Sequence, residues 1–268
     1  MNLAAKMATA LVLITALPAA FLAQTKRKPK TQPKAAAQTA TPQPTPEATP
    51  KATTPAKRNE RPANGSAAQT TKPPAYVPVY FYRFERPGFT YPSIAIEHDD
   101  AGKGQIAFVK DGNDVAIADP IELSAVTMTN LRNAFAALNF LDSNENYQYP
   151  RDYSNMGNVI ITVKKDGRQR EVKYNWTDNK NAKFLADEYR RISNQYIWRF
   201  EMTLARDNQP LSAPALMDQI DDYLKRQEIS DPPQMLPLLR ELSNDERIPL
   251  IARNHAAKMA TAIEKLKK

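Results

Sequence analysis

Cysteine is absent from all 268 residues. That one absence excludes a disulfide framework, a thiolate metal site, a thiol nucleophile and lipid attachment at an N-terminal cysteine. Histidine is nearly absent: His98 and His255 are the only two. They lie far apart and neither has neighbours at metal-ligand spacing, so neither a zinc site nor a serine triad is written into the chain. Glycine is scarce, at seven residues. None of them brackets a serine in a Gly-x-Ser-x-Gly elbow or supplies the spacing of a phosphate-cradling loop. No cofactor and no metal is expected.

What is present begins with an export signal. Lys6, an apolar run from Met7 to Leu17, Pro18 and then small residues have the layout of a signal peptide over residues 1–23. The run is shorter than the roughly 20 residues a membrane span needs, so a secreted or periplasmic protein without a spanning helix is expected. An exported chain without disulfides relies on its hydrophobic core for stability, a pattern that suits a bacterial envelope protein.

Residues 24–75 contain no Leu, Ile, Val, Phe, Tyr or Trp. With nothing apolar to bury, such a Pro/Ala/Thr/Lys-rich segment cannot offset the entropy of ordering, and a disordered linker is expected. It carries ten Lys and Arg against two Glu, a surplus of eight. From Tyr76 onward 26 basic residues face 27 acidic ones. The formal net charge of +8 is therefore a property of the linker. The neutral remainder argues against nucleic acid as a partner, whereas the linker could hold an anionic surface such as lipid headgroups or acidic wall polymer.

The folded part, 76–206, opens with strands. "YVPVYFYRF" is aromatic and β-branched, and "SIAIEH" alternates with Ile94, Ile96 and His98 on one face. "QIAFVK" alternates likewise, and pairing Ile96 with Ile106 sets Ile94 against Phe108. That leaves "DDAGK" as a hairpin loop, with His98 at the rim of the core side. Asp111-Gly112 is a preferred two-residue turn, which would set Phe108 opposite Val115 and Ile106 opposite Ile117. A second hairpin turning on Asp166-Gly167 matches Ile161 with Val172 and Val159 with Tyr174. Its basic tip, Lys164, Lys165, Arg168 and Arg170, reads as a solvated edge.

Between the hairpins, Met128, Leu131, Phe135 and Leu138 recur at helical steps, with Ser124, Thr127 or Thr129 as the candidate N-cap. The loop "DSNENYQYPRDYSNMG" then places Tyr147, Tyr149 and Tyr153 among polar residues. Tyrosine offers a large contact area at low entropy cost, so these three are the candidate binding residues. A long helix follows from about Asn181 to Leu204, with Leu185, Tyr189, Ile192, Tyr196 and Phe200 on one face and Trp198 nearly opposite. Something must cover Trp198, and the helical segment 211–268 is the candidate cap. The fold class expected is α+β: an antiparallel hairpin and meander sheet with two amphipathic helices and a C-terminal helical cap.

The motifs "YPSIAI", "GKGQIAFVKDG", "FLDSNENY" and "DYSNMGNVIITVKKDG" resemble a family of uncharacterised bacterial exported domains over residues 76 to about 200. The resemblance implies architecture and export but no reaction. Many members carry cysteines near the first strand, which this chain lacks, so no redox role carries over. The closing "MLPLLRELSNDERIPLIARNHAAKMATAIEKL" is similar to one HEAT-type helical hairpin, too few repeats for a binding solenoid.

The function expected is noncovalent binding or envelope interaction, with an envelope protein or polymer as partner. A carboxylate-dependent hydrolase and a purely structural envelope role are the alternatives. A polar cleft with converging Asp or Glu would favour the hydrolase, and an apolar or tyrosine-rich patch would favour binding.

Overall fold

The computed structural model describes residues 76–266. The expected signal peptide (1–23) and linker (24–75) lie outside the described residues. Six strands, β1 (Tyr80–Glu85), β2 (Ser93–His98), β3 (Lys103–Val109), β4 (Ile117–Glu122), β5 (Asn158–Lys165) and β6 (Arg168–Tyr174), form one antiparallel sheet in the order β4-β3-β2-β1-β5-β6. β1 is thus central, hydrogen-bonded to β2 on one side and β5 on the other.

Period-two alternation gives the sheet two unlike faces. Tyr80, Tyr82, Ile94, Ile96, Ile106, Phe108, Ile161, Val163 and Tyr174 point to the buried side. The other side carries Phe81, Arg83, Ala95, Glu97, Gln105, Ala107, Thr162 and Glu171. The expected pairings Ile96 with Ile106, Ile94 with Phe108, Ile161 with Val172 and Val159 with Tyr174 are all present.

The third pairing differs. Phe108 stands opposite Ile117 rather than Val115, and Ile106 opposite Asp119 rather than Ile117. The physical reason lies at Asp111, whose N–H donates to the Thr90 carbonyl at 2.9 Å. Only Gly112, the second central residue of the Lys110–Asn113 turn, takes positive φ there, at 81°, the pattern of a type II turn, which splays its strands instead of closing a two-residue hairpin. The chain runs on before pairing resumes, leaving Val115 76% exposed. At Asp166-Gly167 both residues take positive φ, 53° and 71°, and the tight hairpin forms.

Two helices cover the buried face. α1 (Ala125–Ala137) starts where the Ser124 hydroxyl accepts from the Thr127 N–H at 3.2 Å. α2 (Lys180–Asn208) is capped by Asn179, whose side-chain oxygen accepts from the N–H groups of Asn181 and Ala182. Leu185, Tyr189, Ile192 and Tyr196 on α2 close the core against the sheet.

His98 is a correction to the rim position: it is fully buried, stacked on Tyr80 with ring centroids 5.0 Å apart. Its Nδ1 lies 2.9 Å from the Asp99 carbonyl, which can only accept, so Nδ1 carries the proton and Nε2 accepts from the Tyr189 hydroxyl at 2.9 Å. The adjacent carboxylates organise the turn. Asp99 Oδ1 accepts from the N–H groups of Ala101 and Lys103. Asp100 accepts from the Tyr80 hydroxyl and pairs with Lys165.

The far face of α2 is covered by α3 (Ala213–Lys225), α4 (Leu236–Asn244) and α5 (Leu250–Leu266). Trp198 is buried in this second core among Met202, Met217, Leu239 and Ala256, and its Nε1–H donates to the Leu216 carbonyl at 2.7 Å. Polar side chains in the seam are matched in the same way. Glu188 accepts from Ser230 and Arg191, and Gln195 accepts from the Asp231 N–H while donating to Gln234.

Candidate binding cleft

The three tyrosines of the 142–157 loop do not share one surface. Tyr147 is 3% exposed, packed against Phe140 and Tyr174, with its hydroxyl accepting from Arg170 at 3.3 Å. It is a core residue. Tyr149 and Tyr153 are half-buried, with ring centroids 6.2 Å apart. Tyr153 leans on Trp176 at 5.7 Å, and the Tyr149 N–H donates to the Trp176 carbonyl at 2.9 Å.

Asn175 fixes this arrangement. Its side-chain oxygen accepts from the Tyr153 N–H and from Gln148, and its own N–H donates to the Gln148 side-chain oxygen. The loop is thereby fastened beside the end of β6.

Beside Trp176 opens a cleft of about 660 Å³. The β1–β2 connection forms one wall, folded back by an Arg86 N–H to Pro92 carbonyl bond of 2.8 Å. Phe89 projects from it under the Arg86 guanidinium, 3.2 Å from the ring centroid. The 153–157 segment forms the second wall. Gly157 has φ 88°, and a Cβ there would lie 2.7 Å from the Phe84 ring, so only glycine lets the backbone close onto that ring. The third wall is one stripe of α2 at steps of three and four: Lys183, Ala186, Asp187, Arg190, Ser193 and Asn194. At the mouth Phe89, Met156 and Trp176 are 38%, 46% and 38% exposed.

Three lining residues are charged, and all sit on the helix wall. Asp187 pairs with both Lys183 and Arg190, the latter at 3.2 Å, so the wall keeps one positive charge in surplus. Tyr82 reaches the cleft from β1, stacked on Tyr189 with centroids 4.8 Å apart. Tyr82 is 3% exposed, yet its hydroxyl has no hydrogen-bond partner among the described residues, unlike those of Tyr80, Tyr174 and Tyr189. Burial raises its pKa above the ordinary phenol value, with the Arg190 cation pulling the other way. It remains a neutral donor.

A second recess, about 410 Å³, lies on the open sheet face over Ala95 and Ala107. Its carboxylates are engaged: Glu97 accepts from the Tyr76 hydroxyl and Glu171 from Thr162. They stand on β2 and β6, with two strands between them, and each is held by its own hydroxyl partner. The basic hairpin tip is also occupied. Lys165 pairs with Asp100 and Arg168 with Asp142, while Arg170 donates to the carbonyls of Phe140 and Glu145.

Sequence reasoning missed Phe89, Met156, Trp176 and Tyr82. Trp176 and Phe89 each follow a strand in a polar, turn-rich stretch, where a large aromatic has no strand neighbour to pack on; that was the available signal. Nothing in the alternation of β1 separates Tyr82 from its fully partnered neighbour Tyr80. Among the described residues no group of three or more His, Asp or Glu could hold a metal ion, and no helix is long and apolar enough to cross a membrane. The chain matches no family model and no curated protein, so the resemblance to an exported domain family stands on its motifs alone.

Proposed function

We propose that this is an exported, non-enzymatic binding protein of the cell envelope, secreted or periplasmic, that holds its ligand noncovalently in the aromatic cleft. The observation that carries the reading is the convergence of Phe89, Met156 and Trp176, all exposed, on one recess of ligand size. Tyr149 and Tyr153 border that recess through Trp176, which gives the tyrosine loop a place in the site without Tyr147. Asp187 is the one carboxylate among the lining residues and is clamped by two cations. That arrangement supports binding over two-carboxylate hydrolysis. The basic 24–75 segment would keep the protein at anionic envelope surfaces, through an attraction that salt weakens.

The test is a neutral solvatochromic dye, N-phenyl-1-naphthylamine, added to the full chain and to a Phe89→Ser/Trp176→Ser variant. The native protein should enhance dye emission, the variant should not, and solubilised envelope material should displace the dye. Equal enhancement by both proteins would place apolar binding elsewhere and overturn the reading.

A further inference from the structure

We propose that the cleft takes a monoanionic amphiphile, a single acyl chain ending in a carboxylate, with the head between Lys183, Arg190 and the Tyr82 hydroxyl and the chain along Phe84, Phe89 and Trp176. This rests on the binding reading above and deepens it by naming the ligand class.

Two independent features meet at one end of the cleft, and a third lies beyond it. The helix wall sets two cations against a single carboxylate, so an arriving anion meets a net positive charge that Asp187 only half neutralises. The Tyr82 hydroxyl opens onto the cleft and has no hydrogen-bond partner among the described residues, so it is a donor free to bond an incoming ligand. A carboxylate suits it, because it accepts from several donors at once. Away from this end the lining is mostly apolar, with Phe84, Ile94, Val159 and Met156 among its side chains beside the polar Thr90, Asn175 and Thr177. Such a wall rewards an apolar body.

Charge also chooses among amphiphiles. A cationic head would face Lys183 and Arg190 directly. A neutral alcohol would satisfy Tyr82 and leave the surplus charge unmatched. Only the anion answers both.

Trp176 supplies the readout, since the other tryptophan, Trp198, is buried in the second core and should contribute a constant background. The full chain would be titrated with decanoate, decan-1-ol and decyltrimethylammonium below their micellar concentrations, following Trp176 emission. A Trp176→Phe variant, read by dye displacement, shows that the signal belongs to the cleft. Decanoate should bind at least about tenfold more tightly than the alcohol, the scale of a charge-assisted hydrogen bond. The preference should fall with salt, and the cation should bind worst.

Lys183→Gln/Arg190→Gln, which leaves Asp187 as the one charge among the lining residues, should bring decanoate to or below the affinity of the alcohol. Tyr82→Phe should weaken both oxygen-bearing ligands. Equal affinity for decanoate and decan-1-ol in the native chain, or a preference surviving the double variant, overturns the proposal. If none of the three binds while the neutral dye still does, the ligand class is wrong and the cleft reading stands. If the dye fails too, both fall.

Discussion

The seam under Trp198 and the cleft around Trp176 are built from the same materials, a large aromatic beside polar side chains of α2, and they end in opposite states. In the seam every named polar group has its partner: Trp198 Nε1 bonds Leu216, Glu188 takes Ser230 and Arg191, and Gln195 bridges to Asp231 and Gln234. In the cleft the indole is 38% exposed and the Tyr82 hydroxyl is unmatched among the described residues. Apart from the buried Arg206 and Arg253 Nε atoms, which lack partners among the described residues, the seam is closed and belongs to the fold's stability, whereas a recess left open is where a ligand can add something. The contrast separates core from site more sharply than residue type does.

The strongest way to break the contrast is to truncate both indoles. Trp198→Ala removes a side chain 1% exposed, opens a cavity between α2 and the C-terminal helices and deletes the indole's bond to the Leu216 carbonyl. It should cost about 3–5 kcal/mol, read as a lower urea midpoint. Trp176→Ala, already a third exposed, should cost far less. Comparable losses at the two positions would show that the cleft wall is a structural element, and the distinction would fail.

A second satisfied region lies on the sheet side, where His98 is buried with both ring nitrogens engaged. Burial lowers its pKa from 6.5 to about 4, with the Asp99 carbonyl and nearby carboxylates opposing. The folded state thus refuses a proton that the unfolded state accepts. Its contribution is complete above about pH 6.5 and is lost as pH falls towards 4, by up to about 3 kcal/mol. Asp100 and Asp245, with lowered pKa values, lose their share below the ordinary carboxylate range, and Asp119, raised by burial, opposes the slope just above it, so the upper part of the window reports the histidine. Urea melts at stepped pH should slope through this window in the native chain and flatten in His98→Gln. A slope unchanged by that substitution would assign it to other groups.

Alternation was enough to read the strands, the facing pairs and both long helices, because each apolar position met another at the period its element demands. The two Asp-Gly turns show where that stops. The dipeptides are identical, but Asp111 is tied to the Thr90 carbonyl and Asp166 is not, so one tight hairpin forms and the other register slips by two residues. A two-residue slip keeps every side chain on its face, which is why the pattern could not reveal it. The candidate site was legible only in part. Tyr149 and Tyr153 were found by composition, whereas Tyr147 was misplaced because a polar loop conceals a ring that turns inward. The cleft itself joins residues from β1, the 86–92 and 153–157 segments and α2, a meeting that depends on the β1–β5 pairing, which no local spacing encodes.

The finest discrimination compares two stacked rings. Tyr189 and Tyr82 lie 4.8 Å apart at 9° between planes, both buried, and differ in what their hydroxyls do. Tyr189→Phe strips the donor from His98 Nε2 and leaves a fully buried acceptor unmatched, a loss of about 1–3 kcal/mol. Tyr82→Phe removes a hydroxyl that bonds nothing among the described residues and keeps the ring, so stability should stay within about 0.5 kcal/mol. Urea denaturation of the two variants side by side is the measurement. If Tyr82→Phe costs as much as Tyr189→Phe, its hydroxyl is already partnered in solution, and the donor assigned to the ligand head is not free to serve it. If the two separate as expected, one oxygen belongs to the fold and the other is free for the ligand.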